Sequence, residues 1–327
     1  MLKEVCDNLY FCAVRVLYIV VIVCFIAVFV SFSAPDKESD KLTIEQLGEM
    51  LFFDPILSED LSISCASCHK PEYAFADTSA FSVGVHGRLG NRNTPSAMNV
   101  LSRETLFWDG RAATLAEQAL GPIENPVEMN LSIEEAITRL NNSKYKELFK
   151  QVYGTVPNKD NLGDVIAAFE ATLETSDTPN DRWINDEPNG MSEQQLRGRS
   201  VFRTKGKCLE CHFTPDFTGD EFRSIGLFNG KEYNDSGRYN ATKDPKDIGL
   251  FKVPGLRNVA VTAPYMHDGS MKTLREVIDY YDQPHTLVPD AITRDSLLRE
   301  PLNLTEQEKQ DLESFLHALT DDRFVKK

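Results

Sequence analysis

Apolar positions along this chain recur mostly at helical spacing. Thr43 and Gln46 form a capping-box pair, and Ile44, Leu47, Met50 and Leu51 then share one face. Ser192 and Gln195 repeat the arrangement ahead of Leu196, Val201 and Phe202. Further helices are predicted where Ser132 and Glu135 lead Ile133, Ala136, Ile137 and Leu140, along Leu162, Val165, Ile166, Phe169 and Leu173, and where Thr305 and Glu308 lead Leu312, Phe315, Leu316 and Leu319. Behind a Thr273–Glu276 box, Leu274, Val277, Ile278 and Tyr281 follow the i, i+3, i+4, i+7 rule, so Tyr281 faces the core. No alternating run is long enough to predict a useful strand, and the fold class read from this pattern is mainly α. Pro179, Asn180, Pro188, Asn189 and Gly190 punctuate 178–190 and set the expected boundary between a domain over 42–185 and one over 186–327.

One segment breaks the amphipathic pattern. The 17 residues of 16–32, after Arg15, carry no charge and end in Ser31-Phe32-Ser33 before a polar stretch. They are slightly long for a signal-peptide core and slightly short for a membrane span, so residues 1–41 are read as a signal peptide or a membrane anchor with its tether. Either reading exports the remainder of the chain.

Composition narrows the partners. Hydrophobic residues make up 41% and charged residues 26% of the 327, which excludes disordered, collagen-like and polytopic membrane classes. With 35 Lys and Arg against 50 Asp and Glu the net charge is -15, and a phosphate-backbone binder would work against its own field. Nucleic acid is therefore not an expected partner; neutral small molecules or basic proteins are.

Cysteine placement supplies the chemistry. Of seven cysteines, Cys6, Cys12 and Cys24 fall in the export segment and the others pair as Cys65-Ala66-Ser67-Cys68-His69 and Cys208-Leu209-Glu210-Cys211-His212. Two thiols three positions apart can each form a thioether to one vinyl group of a haem, and the following histidine can ligate its iron. Zinc and a thioredoxin-like redox pair are the competing readings. Paired CxxC zinc motifs usually lie about 15–20 residues apart, whereas Cys68 and Cys208 are 140 positions apart. Two complete CxxCH motifs in one exported chain favour two covalent haem c groups, one per domain.

Between and after these motifs come Arg92-Asn93-Thr94-Pro95, Phe107-Trp108-Asp109-Gly110-Arg111, Gly121-Pro122 with Glu128-Met129-Asn130, Leu256-Arg257-Asn258 and Thr262-Ala263-Pro264-Tyr265-Met266-His267. In this order they resemble the bacterial dihaem cytochrome c peroxidases and their MauG-type relatives, over roughly residues 42–320. The resemblance implies two cytochrome c-like domains packed together, peroxidatic in the N-terminal half and electron-receiving in the C-terminal half. It implies His69 and His212 as proximal iron ligands, Glu128 as a distal carboxylate shuttling protons during O–O cleavage, and Gln118 as a group orienting peroxide. Taken alone, Glu128 would read as a solvated acid. Trp108 matches the tryptophan between the two haems, where it could relay electrons, fill an interface, or both. Asn93, Thr262 and Pro264 match calcium ligands, although singly Asn93 and Pro264 would read as turn residues. His86, in a loop beside Gly84 and Gly87, matches either the histidine that ligates the N-terminal iron in resting peroxidases or a free surface residue.

The departure from the peroxidases proper lies at Tyr281. They carry methionine there, 14 positions beyond the residue matching His267, and tyrosine is the MauG-type pattern. Tyr280 is on a neighbouring face, Met271 is misplaced to substitute, and His285 and His317 read as structural. The function expected is reduction of hydrogen peroxide to water with electrons from a small cytochrome or copper protein, in the periplasm, soluble or tethered; the resemblance is compatible with a homodimer. The alternatives are a MauG-type enzyme that oxidises a protein or organic substrate, and a dihaem electron carrier, which would not need Gln118 and Glu128.

Overall fold

The computed structural model describes residues 41–325. The apolar segment 16–32, its cleavage-like Ser31-Phe32-Ser33, and Cys6, Cys12 and Cys24 lie outside the described residues. Among those described, no helix is long and apolar enough to cross a membrane.

Helices dominate, and the side chains that start them are the capping residues of the sequence. Thr43 and Gln46 close a capping box on α1 (Ile44–Phe53). After α2 (Cys65–Cys68) come α3 (Leu115–Glu124), α4 (Ile133–Asn141), α5 (Tyr145–Tyr153), α6 (Lys159–Glu170) and α7 (Pro179–Ile184). Then follow α8 (Glu193–Arg203), α9 (Tyr239–Thr242), α10 (Leu274–Asp282) and α11 (Glu306–His317). Ser192, Thr273 and Thr305 cap α8, α10 and α11 as their spacing predicts. Two-residue strands β1 (Phe222–Arg223) and β2 (Phe251–Lys252) pair antiparallel. Helix α7 falls inside the stretch read as punctuation: Thr178 caps it and Pro179 takes its first position, where a missing N–H costs nothing.

Residues 42–325 hold two main hydrophobic cores of closely similar design. In the first, α1 packs on α6 and α3 packs on α6; in the second, α8 packs on α11. Both main crossings depend on a glycine. A Cβ on Gly48 would lie 2.0 Å from the Val165 carbonyl oxygen and 2.9 Å from Phe169 Cβ, and one on Gly198 1.8 Å from the Asp311 carbonyl oxygen and 2.8 Å from Phe315 Cβ. One turn beyond each glycine, Phe52 meets Phe169 at 5.0 Å and Phe202 meets Phe315 at 5.2 Å, both edge-on. Phe75 completes the first aromatic triad and Phe217 the second. The same four-part arrangement is thus built twice.

Charge pairs join the two cores. Arg92 bridges Asp109 and Asp235, each at 2.7 Å, and Arg257 bridges Asp181 at 2.8 Å and Asp216 at 2.9 Å. These arginines are largely buried, so each pair is desolvated and its geometry fixed by bidentate or bridging hydrogen bonds.

Candidate functional site

Each CxxCH motif is one tight turn. Ser64 and Ser67 cap α2, which sets Cys65 and Cys68 one helical turn apart, and the His69 N–H closes on the Cys65 carbonyl at 2.8 Å. The second motif forms a 3-10 turn over Cys208–Glu210, where the His212 N–H reaches the Cys208 carbonyl at 2.9 Å. All four thiols are free.

The histidines are held in matching ways. His69 Nδ1 lies 2.9 Å from the Phe75 carbonyl oxygen, and His212 Nδ1 lies 2.8 Å from that of Phe217. Phe75 and Phe217 have φ of 55° and 56°, left-handed conformations that cost bulky residues about 1–3 kcal/mol and persist where the surroundings impose them. A carbonyl only accepts, so Nδ1 carries the proton and Nε2 keeps its lone pair. Burial lowers the pKa of both imidazoles and keeps them neutral.

Both motifs open onto cavities. One of about 530 Å³ is lined by Cys65, Cys68, His69, Gln118 and Glu128. Another of about 240 Å³ is lined by Cys208, Cys211, His212 and Tyr281. Trp108 lines both, with its Nε1–H donated to the Asn93 carbonyl at 2.8 Å. The two cysteine pairs face different cavities and form no four-thiolate zinc site. Two thiols and a neutral imidazole with a free Nε2, in each cavity, are the donor set that haem c requires.

Gln118 projects from α3, and Glu128 sits in the turn just beyond that helix, where Asn125 and Pro122 carbonyls accept the Glu128 and Met129 N–H groups. The 82–90 loop presses on this turn. A Cβ on Gly84 would lie 2.2 Å from the Val127 carbonyl oxygen, and the Val85 N–H donates to the Glu128 carbonyl at 2.8 Å. Burial raises the pKa of the Glu128 carboxyl, while the Arg111 charge and a 2.7 Å hydrogen bond from Asn125 Nδ2 work against that rise. A carboxyl so placed can both take and return a proton within the cavity.

Not every sequence expectation converges here. His86 takes the surface position that was one of its two readings: the ring is exposed, lines neither cavity, and bonds Glu59 through Nε2 at 3.0 Å with Asp60 near Nδ1 at 3.7 Å. The Gly84 contact pins the loop inward, and two residues later a φ of 58° turns His86 outward toward these carboxylates. Asn93, Thr262 and Pro264 do line one cavity together, and the Asn93 N–H meets the His267 carbonyl at 2.7 Å. Asn93 donates its side-chain amide to the Ser79 carbonyl, so Oδ1 remains as a hard oxygen donor.

Tyr281 comes from α10, and burial pushes its phenol pKa up, with Tyr280, Cys211 and Cys208 adding to the rise. Tyr280 instead donates to the Ile225 carbonyl at 2.6 Å, and Met271 packs with Tyr280 in a separate cluster. Sequence reasoning gave no role to three residues that do line the cavities: Glu170 in the first, Met266 and His267 in the second. No local signal separates Glu170 from the other polar residues of its amphipathic helix.

Comparison with known proteins returns one theme. Residues 43–189 match the family model of the di-haem cytochrome c peroxidases. The chain is 36% identical over 299 residues to the methylamine utilization protein MauG of Methylophilus methylotrophus, covering 88% of this chain and 86% of that one. It is 39% identical over 280 residues to the cytochrome c peroxidase Ccp of Escherichia coli K12, covering 84% of this chain but only 57% of that longer protein. A MauG-like protein associated with microbial copper homeostasis has a similar structure, with a TM-score of 0.78 at 30% identity over 90% of this chain and 98% of the other.

Proposed function

Since the chain belongs to the di-haem cytochrome c peroxidase family and is an oxidoreductase of that kind, we propose that it reduces hydrogen peroxide at the cavity that holds His69, Gln118 and Glu128. The reaction is H2O2 plus two electrons and two protons giving two waters. One observation carries the reading: in each of two cavities a histidine follows a thiol pair and spends Nδ1 on a strained carbonyl, leaving Nε2 for a metal.

Haem c supplies, when bound, iron that cycles between charge states and accepts electrons from outside. The chain's own residues do the rest. Cys65 and Cys68, and Cys208 and Cys211, tether the groups; His69 and His212 present Nε2. Glu128 takes a proton from one peroxide oxygen and delivers it to the other, while Gln118 orients the molecule by hydrogen bonding. Trp108, common to both cavities, couples them electronically. Asn93, Thr262 and Pro264 would hold a calcium ion, hard oxygens on a hard cation. The protein works after export, in the periplasm, supplied by a small cytochrome or copper protein.

Tyr281 favours a second reading in the MauG manner. Burial disfavours its phenolate, so only a cation in that cavity would draw the proton off; a phenolate held there would favour the ferric state, in keeping with oxidation of a protein or organic substrate.

The test is haem content and peroxide kinetics together. Chain matured in a host with cytochrome c assembly should keep two covalent haems, and the Cys208→Ala, Cys211→Ala variant one. Glu128→Gln should keep both and react with peroxide about 10²–10⁴-fold more slowly, the usual loss for a general acid–base group. No covalent haem refutes the reading; an unchanged rate refutes the role of Glu128.

A further inference from the structure

The twofold design of the cores gives the cavities an internal control. Phe169 closes the first aromatic triad at the end of α6, and Phe315 closes the second near the end of α11. The next residue in each helix lines the adjacent cavity: Glu170 in the N-terminal one, Leu316 in the C-terminal one. A leucine thus fills this position in one half, and packing alone does not require an acid in the other.

Glu170 is 6% exposed and its Oε2 has no hydrogen-bond partner. Among the described residues no salt-bridge partner neutralises it. The core residues that α1 and α3 contribute around α6 are apolar or glycine: Leu47, Gly48, Leu51, Phe52, Ala119 and Ile123. The titratable groups that share its cavity on the α2 side are Cys65, whose thiol feels the Glu170 charge, then Cys68 and His69; Glu128, Arg111 and the paired Arg92 and Asp109 belong to the same lining. An unpartnered buried carboxyl costs several kcal/mol if ionised, and an orphaned polar atom in a cavity wall calls for an explanation.

We propose that Glu170 is the redox-linked proton carrier of the N-terminal haem, gaining a proton at its carboxyl when that haem takes up one electron and releasing it when the electron leaves. The inference rests on the di-haem reading above. One electron arrives from the external reductant, which is oxidised, and one proton arrives from water; on reoxidation both leave. Direction follows from charge: the oxidised group is one unit more positive than the reduced one, so the nearby carboxyl is more acidic against the oxidised form and binds its proton more tightly against the reduced form. Burial alone holds Glu170 up at about 8, which brings this exchange into the range of neutral solution. The role also gives a physical reason why the acid sits in the peroxide-reducing half, whose reaction consumes protons and electrons together.

Redox potentiometry of the haem-loaded full chain over about pH 6–9 tests it. In the wild type the N-terminal haem should become harder to reduce as pH rises, by at most tenfold in its reduction equilibrium per pH unit, or about 59 mV for one electron. Glu170→Gln, close in shape, and Glu170→Leu, the residue the other half uses, should lose that slope, apart from any part shared by all variants through the haem propionates. Glu170→Asp should keep it. Independently, the reduced-minus-oxidised infrared spectrum of the wild type should gain a protonated-carboxyl band. Equal slopes in wild type and either neutral variant, or absence of the band, overturn the inference while haem remains bound. A chain without covalent haem overturns the di-haem reading instead.

Discussion

Replacing Gly198 by alanine should destabilise the C-terminal half through one atom. The new Cβ would stand 1.8 Å from the Asp311 carbonyl oxygen, 2.5 Å from its carbon and 2.8 Å from Phe315 Cβ. Ordinary contact begins near 3.4 Å, so α8 and α11 would have to part by more than an ångström at their crossing. Neither backbone can yield alone, because Phe202 and Phe315 lock the next turn with rings 5.2 Å apart. Overpacking of this kind costs about 1–3 kcal/mol and occasionally more, while exchanging a helical glycine for alanine returns up to about 1 kcal/mol. A net loss of about 1–2 kcal/mol is expected at the upper part of that range. The damage should also reach the haem site, since Phe217 packs on both rings and its carbonyl holds His212. Gly90→Ala is the control: its Cβ would meet nothing closer than 3.6 Å. Denaturant unfolding of the haem-loaded protein, followed at the C-terminal haem's absorption, measures both variants. Unchanged stability in Gly198→Ala, or an equal loss in Gly90→Ala, would refute the packing argument.

If the Tyr281 oxygen ligates the C-terminal iron as proposed, Tyr281→Met should raise that haem's potential, because a neutral thioether would replace a phenolate that favours ferric iron; identical potentials in a potentiometric titration would mean that Tyr281 only packs. Arg92→Ala should cost about 3–5 kcal/mol by leaving Asp109 and Asp235 without their shared cation. Burial alone would raise the Asp235 pKa, but the Arg92 hydrogen bond and charge outweigh it and hold the group below its usual value. Its contribution to stability should therefore be complete above the ordinary aspartate pKa of about 3.9 and vanish as pH falls through the depressed one, a limb that unfolding curves of Arg92→Ala should lack. Calcium chelation should lower thermal stability and Asn93→Ala should abolish that response; chelator-insensitive wild type would argue against a calcium site at Asn93, Thr262 and Pro264.

Much of this protein is written in short-range signals. Thr43, Ser192, Thr273 and Thr305 announce their helices because a cap and its partner lie three residues apart, and CxxCH places thiols and imidazole by covalent neighbourhood alone. What escaped were features set by contacts distant in sequence. Helix α3 contains Pro122, which reads as a breaker, yet tertiary packing on α6 sustains the helix through it. Glu170 follows Phe169 in an amphipathic pattern that marks it as one more polar residue, and only the fold turns it inward. His86 shows the reverse: an attractive histidine in a glycine-flanked loop is turned outward by the close approach of Gly84 to the Val127–Glu128 backbone.

The anchoring of Trp108 has a consequence for how charge could pass between the cavities. Its ring nitrogen gives its hydrogen to the Asn93 carbonyl, an amide oxygen that is not a base at any pH a protein survives. Oxidised tyrosines and histidines shed a proton to a neighbour and must recover it before they can carry charge again. An indole whose N–H ends on an amide oxygen meets no base along that hydrogen bond. Electrons crossing here would travel unaccompanied, quickly and without regard to pH, leaving the bookkeeping of protons to the carboxyl groups of the N-terminal cavity.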